Sequence, residues 1–282
     1  MSEIFTMFSY PFIQKALAVG ILTGVISAVL GVSLVLKNYS MIGDGLSHVG
    51  FGSFAIAAAA SIAPLYFSVV IVVIAAYFIL KIDDSKKINS DAAIALISSV
   101  ALAIGVMITS LTKGMSVDIY QFMFGSILAV TDGEMYFTIV ITFVVALFYV
   151  VFYNRIFAIT FDEDFARAEG VNVDLYRALL AIVTAIVIVL GMRVIGTLLI
   201  SGLTIIPAIS AFQICKSFKA SVIVSALVSF VSVLLGIVAS FILSTPTGAT
   251  IIVISVIIFL ICFGIKTTKS NLKKRAKNDK LS

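Results

Sequence analysis

Asp44 and His48 stand four residues apart in Gly43-Asp-Gly-Leu-Ser-His48, and His48 is the chain's one histidine. On a helix such a pair shares a face, with anchor points about 6 Å apart along the axis, so a carboxylate and an imidazole there can touch one small cation. The stretch runs straight into the apolar residues 49–62, and an ionisable side chain carried toward lipid is costly enough to mark a route or a relay by default. A second reading stays open on these residues: Asp44 caps the start of a helix at the membrane interface and His48 hydrogen-bonds a neighbour one turn deeper. Gly43, Gly45, Gly50 and Gly52 flank the pair and allow close helix packing or local unwinding.

Two donors are too few to hold zinc, which takes about four in a tetrahedral shell. A two-fold axis beside this helix would bring two carboxylates and two imidazoles together. That oxygen and nitrogen set suits Zn²⁺, tolerates Mn²⁺ and is poor for Cu(I). On these donors copper is disfavoured while Zn²⁺ and Mn²⁺ both stay open, and an ion that passes through must be held weakly, with no permanently bound cofactor.

The elements that must position the pair are membrane helices. With 61% hydrophobic residues over 282 positions and a mean hydropathy of +1.22, the chain carries more apolar surface than one water-soluble core can bury. Apolar runs near the length that a bilayer demands of a helix fall at 12–36, 42–62, 64–80, 92–111, 135–153, 178–200, 202–214, 220–243 and 248–265. The run 202–214 is short and contains Gly202 and Pro207, so it reads as a half-spanning or broken helix and the expected count is eight or nine. No recurring strand-period alternation points to a membrane barrel. The expected fold is all-α and polytopic, with 1–265 as the transmembrane domain and 266–282 as a basic cytoplasmic tail. The first run lacks a basic leader and a cleavage site, so it is expected to remain as an ordinary membrane helix.

Lysine and arginine set the orientation, because short loops rich in them stay in the cytoplasm. Sixteen of the nineteen fall on one set of span ends and only Lys15, Lys113 and Arg193 on the other. The amino terminus is thus expected outside and the carboxyl terminus in the cytoplasm. The net charge of +5 is a topology signal and calls for no nucleic acid. Cys215 and Cys262 are isolated, so neither a disulfide framework nor a thiolate metal site is expected. No G-x-x-x-x-G-K-[ST] run occurs, so any ATP that drives transport must be hydrolysed by another subunit. The chain itself is expected not to be an enzyme.

The cytoplasmic segment 154–177 carries the second informative motif, Phe161-Asp-Glu-Asp-Phe-Ala-Arg-Ala-Glu-Gly170. It reads as one short amphipathic helix with Phe161 and Phe165 at i, i+4. Asp162, Glu163 and Asp164 favour its amino end and Gly170 its stop. Such an element can dock into a cleft on a soluble partner or lie at the membrane interface. Among weaker candidates, Asp118, Asp132 and Glu134 lie on the expected outer side, where solvated loop acids are the commoner case. Met107, Met115 and Met123 recur at a spacing more usual for packing.

These motifs resemble the ABC-3 family of permeases, the membrane components of prokaryotic ABC importers for zinc and manganese. The resemblance rests on Gly43 to His48; on Asp91-Ala-Ala-Ile with Ser116-Val-Asp-Ile-Tyr-Gln-Phe-Met-Phe-Gly-Ser-Ile-Leu128; on Phe161 to Gly170; on Val194-Ile-Gly-Thr-Leu-Leu-Ile200 leading to Ile206-Pro-Ala208; and on Thr245-Pro-Thr-Gly248. It departs after His48, where Val49-Gly-Phe-Gly-Ser53 replaces a leucine-proline pattern common in the family.

The resemblance implies a location in the plasma (inner) membrane, a second permease copy, cytoplasmic ATP-binding subunits and an extracellular or periplasmic metal-binding protein, and with it the expected cargo is Zn²⁺ ahead of Mn²⁺. It also implies that Asp44 and His48 contact the metal and that Phe161, Asp162, Phe165, Ala166 and Gly170 belong to an ATPase-coupling element. Two rivals stay open on the residues: a proton-coupled secondary cation transporter that uses Asp44 and His48 as a relay, and an intramembrane metalloenzyme, for which one histidine is meagre.

Overall fold

A computed structural model describes residues 7–84, 90–112, 122–126 and 130–278. The chain is a bundle of α-helices: α1 (Pro11–Leu36), α2 (Ser40–Ala59), α3 (Pro64–Asp84), α4 (Ser90–Leu111), α5 (Asp132–Val151), α6 (Tyr153–Phe161), α7 (Glu163–Ala168), α8 (Val173–Ile195), α9 (Ile200–Ile214), α10 (Phe218–Leu243) and α11 (Thr247–Asn278). Among the described residues seven helices are long and apolar enough to cross a membrane, namely α1, α3, α4, α5, α8, α10 and α11, and α9 is a shorter apolar one. The remaining long helix, α2, has twenty residues, about 30 Å at 1.5 Å each, but Asp44, His48, its serines and its glycines make it the polar member of the bundle. The all-α, polytopic expectation holds.

Burial follows each helix's place. The most buried spans are α1 and α8, while α4, α5 and α11 leave most of their apolar side chains facing outward, as lipid-facing helices do. On one side α2 packs between α3 and α4; on the other, α1, α9, α10 and α11 pack together, with α8 touching both groups. The core where they meet includes Leu46, Phe51, Ile188, Met192, Ile200 and Leu203.

The contact of α2 with α4 is set by two glycines. A Cβ on Gly45 would lie 2.6 Å from Ile94, and one on Gly52 would lie 2.5 Å from the backbone oxygen of Ala101. A third, Gly50, takes Met192 of α8 in the same way, whereas Gly43 leaves ordinary room. Because the Ala101 oxygen is backbone and cannot swing away, Gly52→Ala should push α2 off α4 at a cost of about 1–3 kcal/mol. A lowered thermal-unfolding midpoint in detergent checks this, with Gly133→Ala, where nothing lies within 4 Å, expected to match the parent.

The short run at 202–214 is a helix of fifteen residues, about 22 Å long and short of the roughly 30 Å hydrocarbon core. It follows a break at 196–199. There Gly196 takes φ +95°, and a Cβ on it would strike the Met123 oxygen at 2.4 Å, so only glycine fits. The exposed peptide groups are met by a second irregular segment: Thr197 N–H donates to Phe122 O (3.1 Å), Leu198 N–H to Met123 O (3.3 Å) and Ser126 N–H to Arg193 O (3.3 Å). Irregular backbone inside a membrane bundle survives only with such internal partners.

Past residue 266 the chain stays helical, since α11 runs from Thr247 to Asn278 and carries basic residues at its carboxyl end. Asp118 and Met115 lie outside the described residues. Met107 is exposed on α4, and Met123 packs against the core.

Candidate functional site

Asp44 is the fifth residue of α2 and does not cap it. Tyr39 occupies the N-cap, which has no side-chain hydrogen bond. Instead Asp44 Oδ1 accepts a hydrogen bond from the Ser201 hydroxyl (3.3 Å), and Oδ2 stands 3.6 Å from His48 Nε2. The capping reading of Asp44 therefore gives way to an interior one. Ser201 lies in the first turn of α9, so the carboxylate faces the amino end of a short helix, whose dipole favours negative charge.

A separation of 3.6 Å is too long for a hydrogen bond but close to a chelating bite. Two donors each about 2.1 Å from a tetrahedral ion stand about 3.4 Å apart. The imidazole's other nitrogen, Nδ1, is buried without a hydrogen-bond partner. The pair lines a cavity of ≈ 240 Å³ between α2 and α4, with Met41, Ser98, Ser99 and Leu102 among its walls. Such a space admits several waters. The Ser98 hydroxyl is engaged by Ile94 O (2.6 Å), a bond that keeps it on its own helix.

Among the described residues no three histidine, cysteine, aspartate or glutamate side chains come together. Asp44 and His48 bring together two candidate donors, one carboxylate and one imidazole. The described acids expected on the outer side are otherwise occupied. Glu134 completes a capping box with Thr131 at the start of α5 and pairs with Arg193 at 2.8 Å, both side chains being largely buried; Arg193 also lies over the Phe54 ring at 5.7 Å. Asp132 pairs with Lys15 at 2.6 Å. Glu134 is thus a buried, paired acid, whereas Asp132 is a solvated one in a surface pair.

The segment 161–170 is two elements, where the spacing predicts one. α6 ends at Phe161, Asp162 turns extended at φ −152°, ψ 103°, and α7 starts at Glu163. The Asp162 carboxylate accepts the Phe165 N–H at 2.9 Å, so an N-cap interrupts the helix that the acidic run was expected to open. Phe161 and Phe165 therefore sit on different helices, and both are exposed. Phe161 leans on the rings of Phe157 and Phe218. Ala166 is fully buried and anchors α7 to the bundle. Gly170 at φ +81° closes α7, with Gly170 N–H bonded to Arg167 O and Val171 N–H to Ala166 O, the paired bonds of a Schellman stop.

With this geometry in hand, comparison with known proteins places the chain. Residues 9–266 match the model of the ABC 3 transport family. The chain belongs to that family. The manganese import system permease protein ScaB of Streptococcus gordonii is 31% identical over 268 residues, covering 95% of this chain and 96% of the relative. The high-affinity zinc uptake system membrane protein ZnuB of Haemophilus influenzae is 27% identical over 246 residues, covering 87% and 94%. In structure, the chain resembles PsaBC from Streptococcus pneumoniae in complex with Fab, with a TM-score of 0.84 and 29% identity over 93% of this chain and 95% of that one.

The resemblance read from the motifs, to metal-ion permeases of the ABC-3 family, is borne out. This ABC 3 protein is a multi-pass membrane permease and not an enzyme; ATP hydrolysis lies in a separate subunit. Sequence reasoning missed Ser201, whose role depends on how the break at 196–199 folds. It also missed the Arg193–Glu134 pair, because the partners lie 59 positions apart.

Proposed function

We propose that this permease carries a divalent metal ion inward through the groove of Asp44 and His48, driven by ATP-binding subunits docked at 161–170. The single observation that carries the reading is the 3.6 Å gap between Oδ2 and Nε2 in a water-sized cavity. Two donors in one chain invite a second copy across the open side of the groove, so the permease works as a pair with four protein ligands at its centre. The basic span ends put α6 and α7 in the cytoplasm and the amino terminus outside, in a plasma membrane. An extracellular or periplasmic metal-binding protein delivers the ion.

The cargo we propose is Mn²⁺ ahead of Zn²⁺. The order expected from the sequence was the reverse, but relatives named for manganese, at 31% and 28% identity, stand beside a zinc relative at 27%. A carboxylate-imidazole set accepts either ion. Reconstitution in liposomes tests the reading: metal accumulation should require ATP and the ATP-binding subunit, with Mn²⁺ taken in preference to Zn²⁺. Uptake driven by a proton gradient without ATP would make the protein a secondary transporter instead.

A further inference from the structure

We infer that Glu163, Lys37, Arg177 and Tyr39 form a strut that transmits movement of α7 to α2 and so to the Asp44 and His48 groove, an inference that rests on reading 161–170 as the ATPase-docking element. Glu163 opens α7 and pairs with Lys37, the residue that ends α1. The same ammonium donates to Ile159 O of α6 at 3.0 Å. Arg177, in the second turn of α8, brings its Nε to 3.9 Å from Glu163. It also donates to the Tyr39 hydroxyl at 2.8 Å, with its guanidinium 5.9 Å from that ring's centre. Both cationic side chains are almost wholly buried, where charge pairs are strong and rearranging them is costly.

Tyr39 is the residue on which α2 begins. From it Asp44 is five residues on, about 7.5 Å along the axis. No slack separates α1 from α2: Asn38 takes φ +59°, and Tyr39 N–H bonds back to Leu34 O at 2.8 Å, so the turn moves as a unit with both helices. A shift of α7 therefore reaches α2 through one carboxylate, two cations and one phenol, without a flexible link. Purely structural ion pairs would hold α7 in place but would leave metal movement per ATP untouched when weakened.

The permease with its ATP-binding subunit, reconstituted in liposomes, gives the test with Mn²⁺ and ATP as probes. In Lys37→Met, ATPase capture and ATP hydrolysis should stay near the parent while Mn²⁺ moved per ATP falls roughly tenfold, within the span of typical couplings between sites. Lys37→Arg should restore the ratio. Tyr39→Phe, which removes one oxygen and keeps both ion pairs, should lower it several-fold and carries the test if Lys37→Met fails to insert. An unchanged ratio in Lys37→Met and Tyr39→Phe overturns the strut. Loss of ATPase capture in Tyr39→Phe also overturns it, by making the cluster part of the docking surface. Undiminished capture by Phe165→Asp is a different result, and removes the docking reading beneath it.

Discussion

Asp44→Ala and His48→Ala permeases should each insert, assemble with the ATP-binding subunit and accumulate almost no metal. Losing a partner outside the coordination shell already costs about 10–100-fold in metal affinity, so loss of a direct ligand should lower uptake at least about a hundredfold. On a two-fold axis each substitution removes two ligands at once. Asp44→Asn sharpens the result, because it keeps the size of the side chain and an oxygen for the Ser201 hydroxyl while removing the charge. Assembly should be spared, since the groove lies between α2 and α4 and the proposed docking face lies on α6 and α7. Radiometal uptake in liposomes, normalised to captured ATPase, checks this; uptake near the parent rate in both variants would dismiss the pair as ligands.

Phe165→Asp should release the ATP-binding subunit. The ring is 58% exposed and lies next to Ala166, which is fully buried and holds α7 to the bundle, so the substitution changes what α7 presents without removing what anchors it. Truncating an apolar anchor at an interface costs about 2 kcal/mol, roughly thirtyfold in affinity, and a charge in its place should cost more. Metal bound at Asp44 and His48 in detergent should not change. Capture of the ATP-binding subunit by the tagged permease measures the effect, and parent-like capture would return α7 to a plain surface helix.

Hydrophobic run length made the spans legible, because a bilayer fixes how many residues a helix needs. The one ambiguous run, at 202–214, was flagged by Gly202 and Pro207. Its physical basis lay elsewhere, in Gly196 and in backbone bonds to residues 122–126 that no local pattern announces. Asp44 and His48 were legible because i, i+4 spacing and a solitary histidine in an apolar setting need no tertiary knowledge. Ser201, from a helix 157 positions away, and the wall of serines from α4 became visible only once packing brought them to the groove.

The acidic run at 162–164 illustrates how local chemistry competes with periodicity. Acidic residues favour a helix start, but Asp162 satisfies that preference as an N-cap and so ends one helix and begins another, splitting the Phe161 and Phe165 stripe. In the sequence Glu163 is only one of three acids that favour a helix start. Its partners, Lys37 and Arg177, come from the ends of two other helices, and that convergence is a property of the bundle.

The most direct measurement of the central claim is anomalous diffraction at the manganese edge from crystals of the permease bound to its ATP-binding subunit and soaked in Mn²⁺. The expected result is one peak in the groove between α2 and α4, about 2.1 Å from both the Asp44 carboxylate and the His48 imidazole, and no such peak in Asp44→Asn. A peak held by other residues, or one that persists in Asp44→Asn, would contradict the account.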